Sequence, residues 1–173
     1  MKTLTLFLFF ASTAWAGITL PASFHANFLQ TITNEKKKSI HYRGTIAFSN
    51  QKGIKWRYQK PTQKDVCSDQ TNLIVVDHDL EQIAYYQLQK AIDLNKIVQN
   101  AQFVRKRVYN ATYDDVLYTI QLDTKGGLQR IAYRDKVDHV VLIIFSKMRY
   151  SNQELSSKSL HCPTPKTYDI INE

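Results

Sequence analysis

The chain has 173 residues, with 23 basic and 15 acidic side chains, a formal net charge of +8 and two cysteines. This length suits one domain with a sizeable core, since roughly 150 residues per domain is typical. Outside the N-terminus, the longest apolar run is VVLIIF at residues 140–145. A membrane-spanning helix needs roughly 20 apolar residues, so this run is too short to span a membrane and is predicted to be a buried strand.

The first sixteen residues have the pattern of an export signal. Lys2 is followed by the apolar run LTLFLFF, and the segment ends in Ala-Trp-Ala at Ala16. We therefore expect residues 1–16 to be a signal peptide that is cleaved after Ala16, leaving residues 17–173 as one domain in the periplasm. Cleavage removes only Lys2, so the exported chain would carry 22 basic and 15 acidic side chains, net +7. Export argues against a nucleic-acid partner, and the charge excess indicates a solvated face.

The exported chain begins with a short helix or a strand. In GITLPASFHANFLQTIT, Phe24 and Phe28 lie on one side at helical spacing, with Leu29 near them, and a polar turn follows at NEKKKS. Two segments with alternating apolar residues come next, HYRGTIAFS and IKWRYQ, joined at SNQKG. Both are predicted to be half-buried strands. Their apolar faces carry Tyr42, Gly44, Ile46 and Phe48 on the first strand, and Ile54, Trp56 and Tyr58 on the second.

The segment KWRY mixes cations with aromatic rings, as a binder of single-stranded nucleic acid would. Successive side chains of a strand point to opposite faces, so Trp56 and Tyr58 lie on one face and Lys55 and Arg57 on the other. Rings and cations on opposite faces cannot contact the same nucleotide. The alternation instead predicts an apolar interior and a solvated exterior.

The second half of the chain contains one helix among several strands. LIVV and QIAYYQL are predicted to pair as a hairpin around DHDLE. Asp93 is a suitable N-cap for a helix over LNKIVQNA, whose apolar face comprises Leu94, Ile97, Val98 and Ala101. The segments QFVRKRVYN, VLYTIQLD, LQRIAYRD and HVVLIIFSKMRY follow as an antiparallel meander. SNQELSSKSL contains one helical turn, and HCPTPKTYDI is an edge strand or leaves the sheet.

The two cysteines, Cys67 and Cys162, form an even count in a chain bound for an oxidising compartment. Such a count favours a disulfide between them, worth at most about 4–5 kcal/mol on a chain-entropy estimate. Two buried free thiols, or one reactive thiol, are the competing interpretations.

The sequence has no recognisable catalytic motif: no nucleophile elbow, zinc-protease helix, Walker loop or paired Cys-x-x-Cys. Asp77, His78 and Asp79 are metal-ligand types in a row, but such residues in a hairpin turn usually cap the turn. His161 adjoins Cys162, yet neighbours on an extended segment point apart. The basic residues 105–107 either contact anionic headgroups or an acidic partner, or form a solvated strand face. We expect no enzyme activity, metal or cofactor.

Three segments together resemble the LolA family of periplasmic outer-membrane lipoprotein carriers: SFHANFLQTIT, YRGTIAFSNQKGIKWRYQKP and VCSDQTNLIVVDHDLEQ. The ending SLHCPTPKTYDI resembles the family's last strand. The marks of the resemblance are Phe24, Phe28, Gln30, Gly44, Phe48, Trp56, Pro61, Ser68, Asp69, Leu160, Cys162 and Pro165.

The resemblance implies a mainly β fold with a few helices. Its strongly curved antiparallel sheet would form an incomplete β-barrel, with helices as a lid over an apolar cavity. Ile54 and Trp56 fall at cavity-facing positions of the family, and the same faces add Ile46, Phe48 and Tyr58. The lid helix would include Leu94, Ile97 and Val98.

Two departures from the family concern the lid. The family often has an arginine after the second strand that holds the lid shut, and Asn50 stands there in this chain. The family's amphipathic first helix is also shortened, since only residues 17–22 precede Ser23 and Pro21 interrupts them.

The implied function is a chaperone for lipoprotein acyl chains. The sequence leaves the oligomeric state open, with a monomer as the default. The chaperone would receive cargo from an inner-membrane ATP-driven release complex and deliver it to an outer-membrane lipoprotein acceptor. Residue 17 is glycine and not the cysteine that a lipid-anchored acceptor requires, which favours the carrier. The alternative is a periplasmic binder of another lipid, or an envelope-stress sensor, on the same fold.

Overall fold

The computed structural model describes residues 17–68, 72–87 and 93–172. The expected signal peptide, residues 1–16, and Asp69 lie outside these residues. The described chain is mostly β, with two short helices. The elements are β1 (Ser23–Thr33), β2 (Ser39–Ser49), β3 (Gly53–Lys60), β4 (Lys64–Ser68), β5 (Asn72–Asp77), β6 (Gln82–Gln87), α1 (Leu94–Gln99), β7 (Gln102–Arg105), β8 (Val108–Tyr113), β9 (Val116–Leu122), β10 (Leu128–Arg134), β11 (Val140–Ser151), α2 (Ser157–Leu160) and β12 (Asp169–Asn172).

The strands form one large curved sheet that does not close into a barrel. Its order is β12-β6-β5-β4-β3-β2-β1-β11-β10-β9-β8-β7, so β12 and β7 are the edges. This confirms the prediction of a mainly β, open curved sheet. Every pairing is antiparallel except that of β12 with β6, which is parallel. The prediction of an antiparallel sheet is therefore wrong at this edge. There the chain has run back across the outer face of the sheet before β12 pairs with β6.

The N-terminal segment is a strand, although its phenylalanines have helical spacing. Phe24 and Phe28 are four residues apart, a spacing that puts two side chains on one face in either structure. The strand forms because β1 lies between β2 and β11 and pairs with both along its length. Leu29 consequently lies on the opposite face from the two phenylalanines, 41% exposed.

Two strand assignments differ from the sequence prediction. The segment QFVRKRVYN is a hairpin of β7 and β8, because the chain turns at Lys106 and Arg107, where Arg107 has a φ of 64°. Of the basic residues 105–107, Arg105 thus ends β7, and Lys106 and Arg107 occupy the turn. The second difference is β4, which was not predicted. Its apolar pattern is short and buries the acidic residue Asp65.

Gly44 allows the aromatic side chains of the inner face to approach one another. A side chain at this position would collide with the carbonyl group of Arg57 on β3 and with the ring of Phe28 on β1. Because glycine has no Cβ, the rings of Phe28 and Tyr58 can meet over it, with their centroids 5.0 Å apart.

The two faces of the sheet carry separate apolar clusters. The larger, here called the inner cluster, combines side chains from β1–β3, β8–β11 and α1. The smaller lies on the opposite, outer face and contains Cys67, Val76, Ile83 and Cys162. Cys67 and Cys162 are joined by a disulfide that spans 95 residues of sequence. The bridge ties the C-terminal segment, residues 152–168, to the outer face.

The C-terminal segment is also held by hydrogen bonds to outer-face side chains. The Ser23 hydroxyl donates to the carbonyl oxygen of Gln153 over 2.7 Å, and the Lys55 ammonium donates to that of His161 over 2.7 Å. α2 belongs to this segment. Of the two helices, only α1 therefore contributes side chains to the inner cluster.

Candidate functional site

The residues predicted to face a cavity lie together on the inner face of β2 and β3. Strand pairing places Ile46 opposite Trp56 and Phe48 opposite Ile54. These four side chains are between 1% and 9% exposed, and Tyr58 is half-buried. All five pack within or against the inner cluster. Alternation placed them on one face because, along β2 and β3, buried apolar residues alternate with more exposed ones.

Aromatic contacts connect these residues across four strands. Phe48 stacks on Phe24 with centroids 4.8 Å apart, and Trp56 meets the edge of Phe28 at 5.0 Å. Trp56 also lies 6.2 Å from Phe145 of β11. Phe145 was not among the predicted residues, although its alternation with Val141 and Ile143 in HVVLIIFSKMRY could have identified it. In this structure the predicted lining residues contact one another and their apolar neighbours.

Helix α1 packs on the inner cluster through its apolar stripe. Asp93 is the N-cap, and its carboxylate accepts a hydrogen bond from the Lys96 amide over 3.1 Å. Leu94, Ile97 and Val98 are each less than 5% exposed and belong to the inner cluster. The helix has only six residues. Helices this short are marginal in water, so α1 depends on these apolar contacts.

Polar contacts fix the exposed side of α1 to the sheet. The Asn95 amide group donates to the main-chain oxygen of Asn50 in the β2–β3 turn, over 2.8 Å. The Asn100 amide donates to the carbonyl of Thr112 on β8, over 3.2 Å. Each such bond contributes about 0.5–1.5 kcal/mol. Together they join the helix to two distant parts of the sheet.

Tyrosine hydroxyls border the inner cluster. Burial, with a further contribution from nearby Tyr42, raises the pKa of Tyr58 to about 12. Burial also raises the pKa of Tyr133, whose ring lies 4.9 Å from that of Tyr118. The hydroxyls of Tyr58 and Tyr133 therefore stay neutral across physiological pH.

We predict that alkaline pH destabilises the protein through these tyrosines. The unfolded chain loses its tyrosine protons from about pH 10, whereas folded Tyr58 retains its proton to about pH 12. The contribution of Tyr58 to the free energy of unfolding is therefore fully present below about pH 10 and is lost as the pH rises towards about 12. Urea unfolding at about pH 9 and about pH 11 measures the loss. Tyr58→Phe should reduce it, and an equal loss in that variant would contradict the assignment.

A buried carboxylate organises the cations of the outer face next to this site. Asp65 is 2% exposed and accepts two hydrogen bonds from the Arg57 guanidinium, over 3.0 and 3.2 Å. The Lys55 ammonium lies 3.6 Å from the same carboxylate. Hydrogen bonding to Asp65 raises the pKa of Arg57. Lys55 and Arg57 thus point away from the inner cluster, on the face opposite Trp56.

The other sequence candidates have structural partners. The Asp77 carboxylate accepts from the amides of Asp79 and Leu80, which caps the hairpin turn. Within residues 17–68, 72–87 and 93–172, no three ligand-type side chains converge on a common point. Cys162 is in the disulfide and so forms no catalytic pair with His161. No helix in these ranges is long and apolar enough to cross a membrane.

Comparison with known sequences supports the resemblance. The family described as outer membrane lipoprotein carrier protein LolA matches residues 21–106. An outer-membrane lipoprotein carrier protein from Wolinella succinogenes is 32% identical over 146 residues, covering 84% of both chains. Another with the same description, from Campylobacter jejuni, is 29% identical over 98% of both chains.

Solved structures share the fold at low sequence identity. A LolA superfamily protein from Nitrosomonas europaea aligns with a TM-score of 0.51 at 14% identity, covering 84% of this chain and 93% of that one. A conserved protein from Thermus thermophilus aligns with a TM-score of 0.56 at 10% identity, covering 89% of this chain and 92% of that one. Both support the open curved sheet.

Proposed function

This chain belongs to the LolA family of outer-membrane lipoprotein carrier proteins, and from that premise we propose that it is a periplasmic carrier of lipoprotein acyl chains. It is exported by cleavage after Ala16. It then takes cargo from an inner-membrane ATP-driven release complex and gives it to an outer-membrane acceptor. Carriers of this kind bind without covalent chemistry, so catalysis has no part in the proposal.

The observation that carries the proposal is the inner cluster. Seventeen buried side chains lie contiguously on one face of an open sheet, and the six-residue helix α1 adds three more from above. An acyl chain gains about 0.8 kcal/mol for each methylene that it buries. A lipoprotein leaving a membrane thus requires an apolar surface of comparable extent, and this face offers one.

Uptake requires the inner side chains to exchange partners. Phe48 and Trp56 now contact Phe24, Phe28 and Phe145. Acyl chains replace those contacts once α1 moves away from the sheet. Because apolar contacts are exchanged for similar ones, the net affinity stays moderate and the cargo can leave at the acceptor.

The proposed lid is α1, with its buried residues Leu94, Ile97 and Val98. Its latch is the hydrogen bond from Asn95 to the main chain of Asn50, at the position where the family often has an arginine. The direction of the contact is reversed, because the helix supplies the side chain and the turn supplies the main chain. The latch is one neutral hydrogen bond, and opening must also break the hydrogen bond from Asn100 to Thr112 and expose the apolar stripe of α1.

Asn95→Ala is expected to strengthen apparent binding of an acyl-chain probe about two- to tenfold. Losing about 0.5–1.5 kcal/mol from the closed state raises the open fraction by that factor, and affinity follows the binding-competent fraction. Titration with a fluorescent fatty-acyl probe measures the change. Gln99→Ala, on an exposed position of the same helix, is the matched control. An unchanged affinity in Asn95→Ala would contradict the latch.

Mass spectrometry of acyl ligands that co-purify with the protein from its native host tests the function. The proposal predicts triacylated lipoprotein. A free fatty acid or phospholipid as the main ligand would favour the alternative, a periplasmic binder of another lipid or an envelope-stress sensor. That alternative uses the same inner cluster.

A further inference from the structure

A cationic groove lies on the outer face of the sheet, opposite the inner cluster. Its volume is about 640 Å³, in the range of pockets that bind ligands. Strands β3, β2, β1 and β11 form its floor, and Ser159 of α2 lines one side. The charged side chains that line it are Lys55, Arg57, Lys147 and Arg149, together with His25.

The groove is built on two rows of residues that cross four strands. In the first row Lys55 pairs with Ala47, Ala47 with His25, and His25 with Arg149. Directly opposed residues in neighbouring strands share a face, so all four lie on the groove floor. Neighbouring strands are about 4.8 Å apart, which puts the backbones of Lys55 and Arg149, at the two ends of the row, about 14 Å apart.

The second row runs beside the first. Arg57 pairs with Thr45, and Thr45 with Asn27. At β11 the register shifts, so that Lys147 and Met148 stand opposite the single residue Ala26. Lys147 has a φ of 52°, and its side chain lines the groove while Met148 packs against the inner cluster. Bulges of this kind re-aim side chains, and this one directs a lysine to the outer face.

The groove has a net positive charge. Four cations against the single carboxylate of Asp65 give +3, and that carboxylate is already engaged by Arg57. Lys147 and Arg149 are exposed and make no ion pair with any residue of the described ranges. Glu154 lies one row further along, where the Ser49 hydroxyl donates to its carboxylate. The acidic side chains nearby are therefore partnered, whereas the β11 cations are not.

We propose that this groove binds an extended acidic segment of a partner protein. Lys55 and Arg57 are held at Asp65 on β3, about 14 Å of backbone from the β11 cations, so the two pairs are not drawn together onto one phosphate group. An extended peptide advances about 3.3–3.6 Å per residue, so carboxylates four residues apart reach both pairs. Between the pairs, Asn27 and Thr45 present polar side chains for the peptide groups of the segment. The C-terminal segment walls one side, which disfavours a flat membrane surface.

A labelled peptide tests the proposal without reference to lipid cargo. The peptide carries two pairs of glutamates, joined by glycine and serine, with the centres of the pairs four residues apart. Its fluorescence anisotropy is measured as the exported protein, residues 17–173, is added. We expect saturable binding that weakens as salt is added. A peptide with glutamine in place of glutamate should bind at least about tenfold more weakly.

Charge reversal locates the site. Lys147→Glu with Arg149→Glu should weaken peptide binding about tenfold or more, because two attractions become repulsions. Arg105→Glu with Lys106→Glu makes the same charge change where β7 ends and its turn begins, at the far edge of the sheet from the groove, and should weaken peptide binding less than about twofold. Both pairs are exposed, so circular dichroism should show unchanged folds. Amide NMR shifts on peptide addition should centre on Asn27 and Thr45.

Four outcomes would overturn the proposal. The first is no saturable peptide binding, and the second is equal weakening by the two charge reversals. The third is displacement of the peptide by inorganic phosphate to a much greater extent than by chloride at the same ionic strength. That result would assign the groove to phosphate. The fourth is tighter binding to phosphatidylglycerol vesicles than to the peptide, lost in the Lys147→Glu, Arg149→Glu variant, which would assign it to lipid headgroups.

Discussion

Trp56→Glu is expected to abolish acyl-chain uptake, with at least about a tenfold loss of affinity for a triacylated lipoprotein. Trp56 is 9% exposed and contacts the rings of Phe28 and Phe145. A carboxylate among these rings lacks a hydrogen-bond partner, so it opposes both the closed packing and the entry of an acyl chain. Uptake is measured as transfer of lipoprotein from detergent into a soluble complex with the protein.

Two controls separate lost apolarity from lost structure. Trp56→Leu keeps the site apolar and should retain uptake while lowering stability by about 1–3 kcal/mol. Gln59→Glu makes a similar charge change at an exposed position of the same strand and should leave uptake unchanged. If Trp56→Glu folds by near-UV circular dichroism and takes up lipoprotein as Gln59→Glu does, the inner cluster is not the acyl site.

Removing the disulfide should have the largest effect on stability. Replacing Cys67 and Cys162 with serine opens a link that spans 95 residues, and loss of a native disulfide typically costs about 2–5 kcal/mol. The cost reflects a less constrained unfolded chain. We expect the C-terminal segment to leave the outer face first, because its other attachments there are individual hydrogen bonds and the packing of Leu160 and Tyr168. Urea unfolding without reductant measures the change.

Alanine at both cysteines distinguishes the bridge from the buried hydroxyls that serine introduces. Cys162 is fully buried and Cys67 is 5% exposed, so serine hydroxyls add a desolvation cost there. The alanine pair should be destabilised by nearly as much as the serine pair. A free energy of unfolding within about 0.5 kcal/mol of the native chain in both pairs would contradict a stabilising role for the bridge.

The faces of the central strands could be predicted from the sequence because alternation and burial agree there. Ile46, Phe48, Ile54 and Trp56 alternate with polar residues, and a one-residue slip would bury those polar residues instead. The turn between β7 and β8 could not be predicted, since Lys106 and Arg107 are not usual turn residues. Arg107 adopts its positive φ because the paired strands require a turn at that point.

The outer face was beyond prediction for a different reason. Lys55 and Arg149 line the same groove only because β1 pairs with β11, which places His25 opposite Arg149, 124 positions further along the chain. Periodicity assigns each residue to a face but does not give the register between distant strands. The latch between Asn95 and Asn50 likewise depends on where α1 packs. The sequence could show only that the usual arginine was absent.

Depletion of this protein in its native host tests the central claim most directly. If the inner cluster carries lipoprotein acyl chains between membranes, outer-membrane lipoproteins should accumulate in the inner membrane as the protein disappears. Restoring the native chain, but not Trp56→Glu, should return them to the outer membrane. An unchanged distribution of lipoproteins after complete depletion would contradict the carrier function.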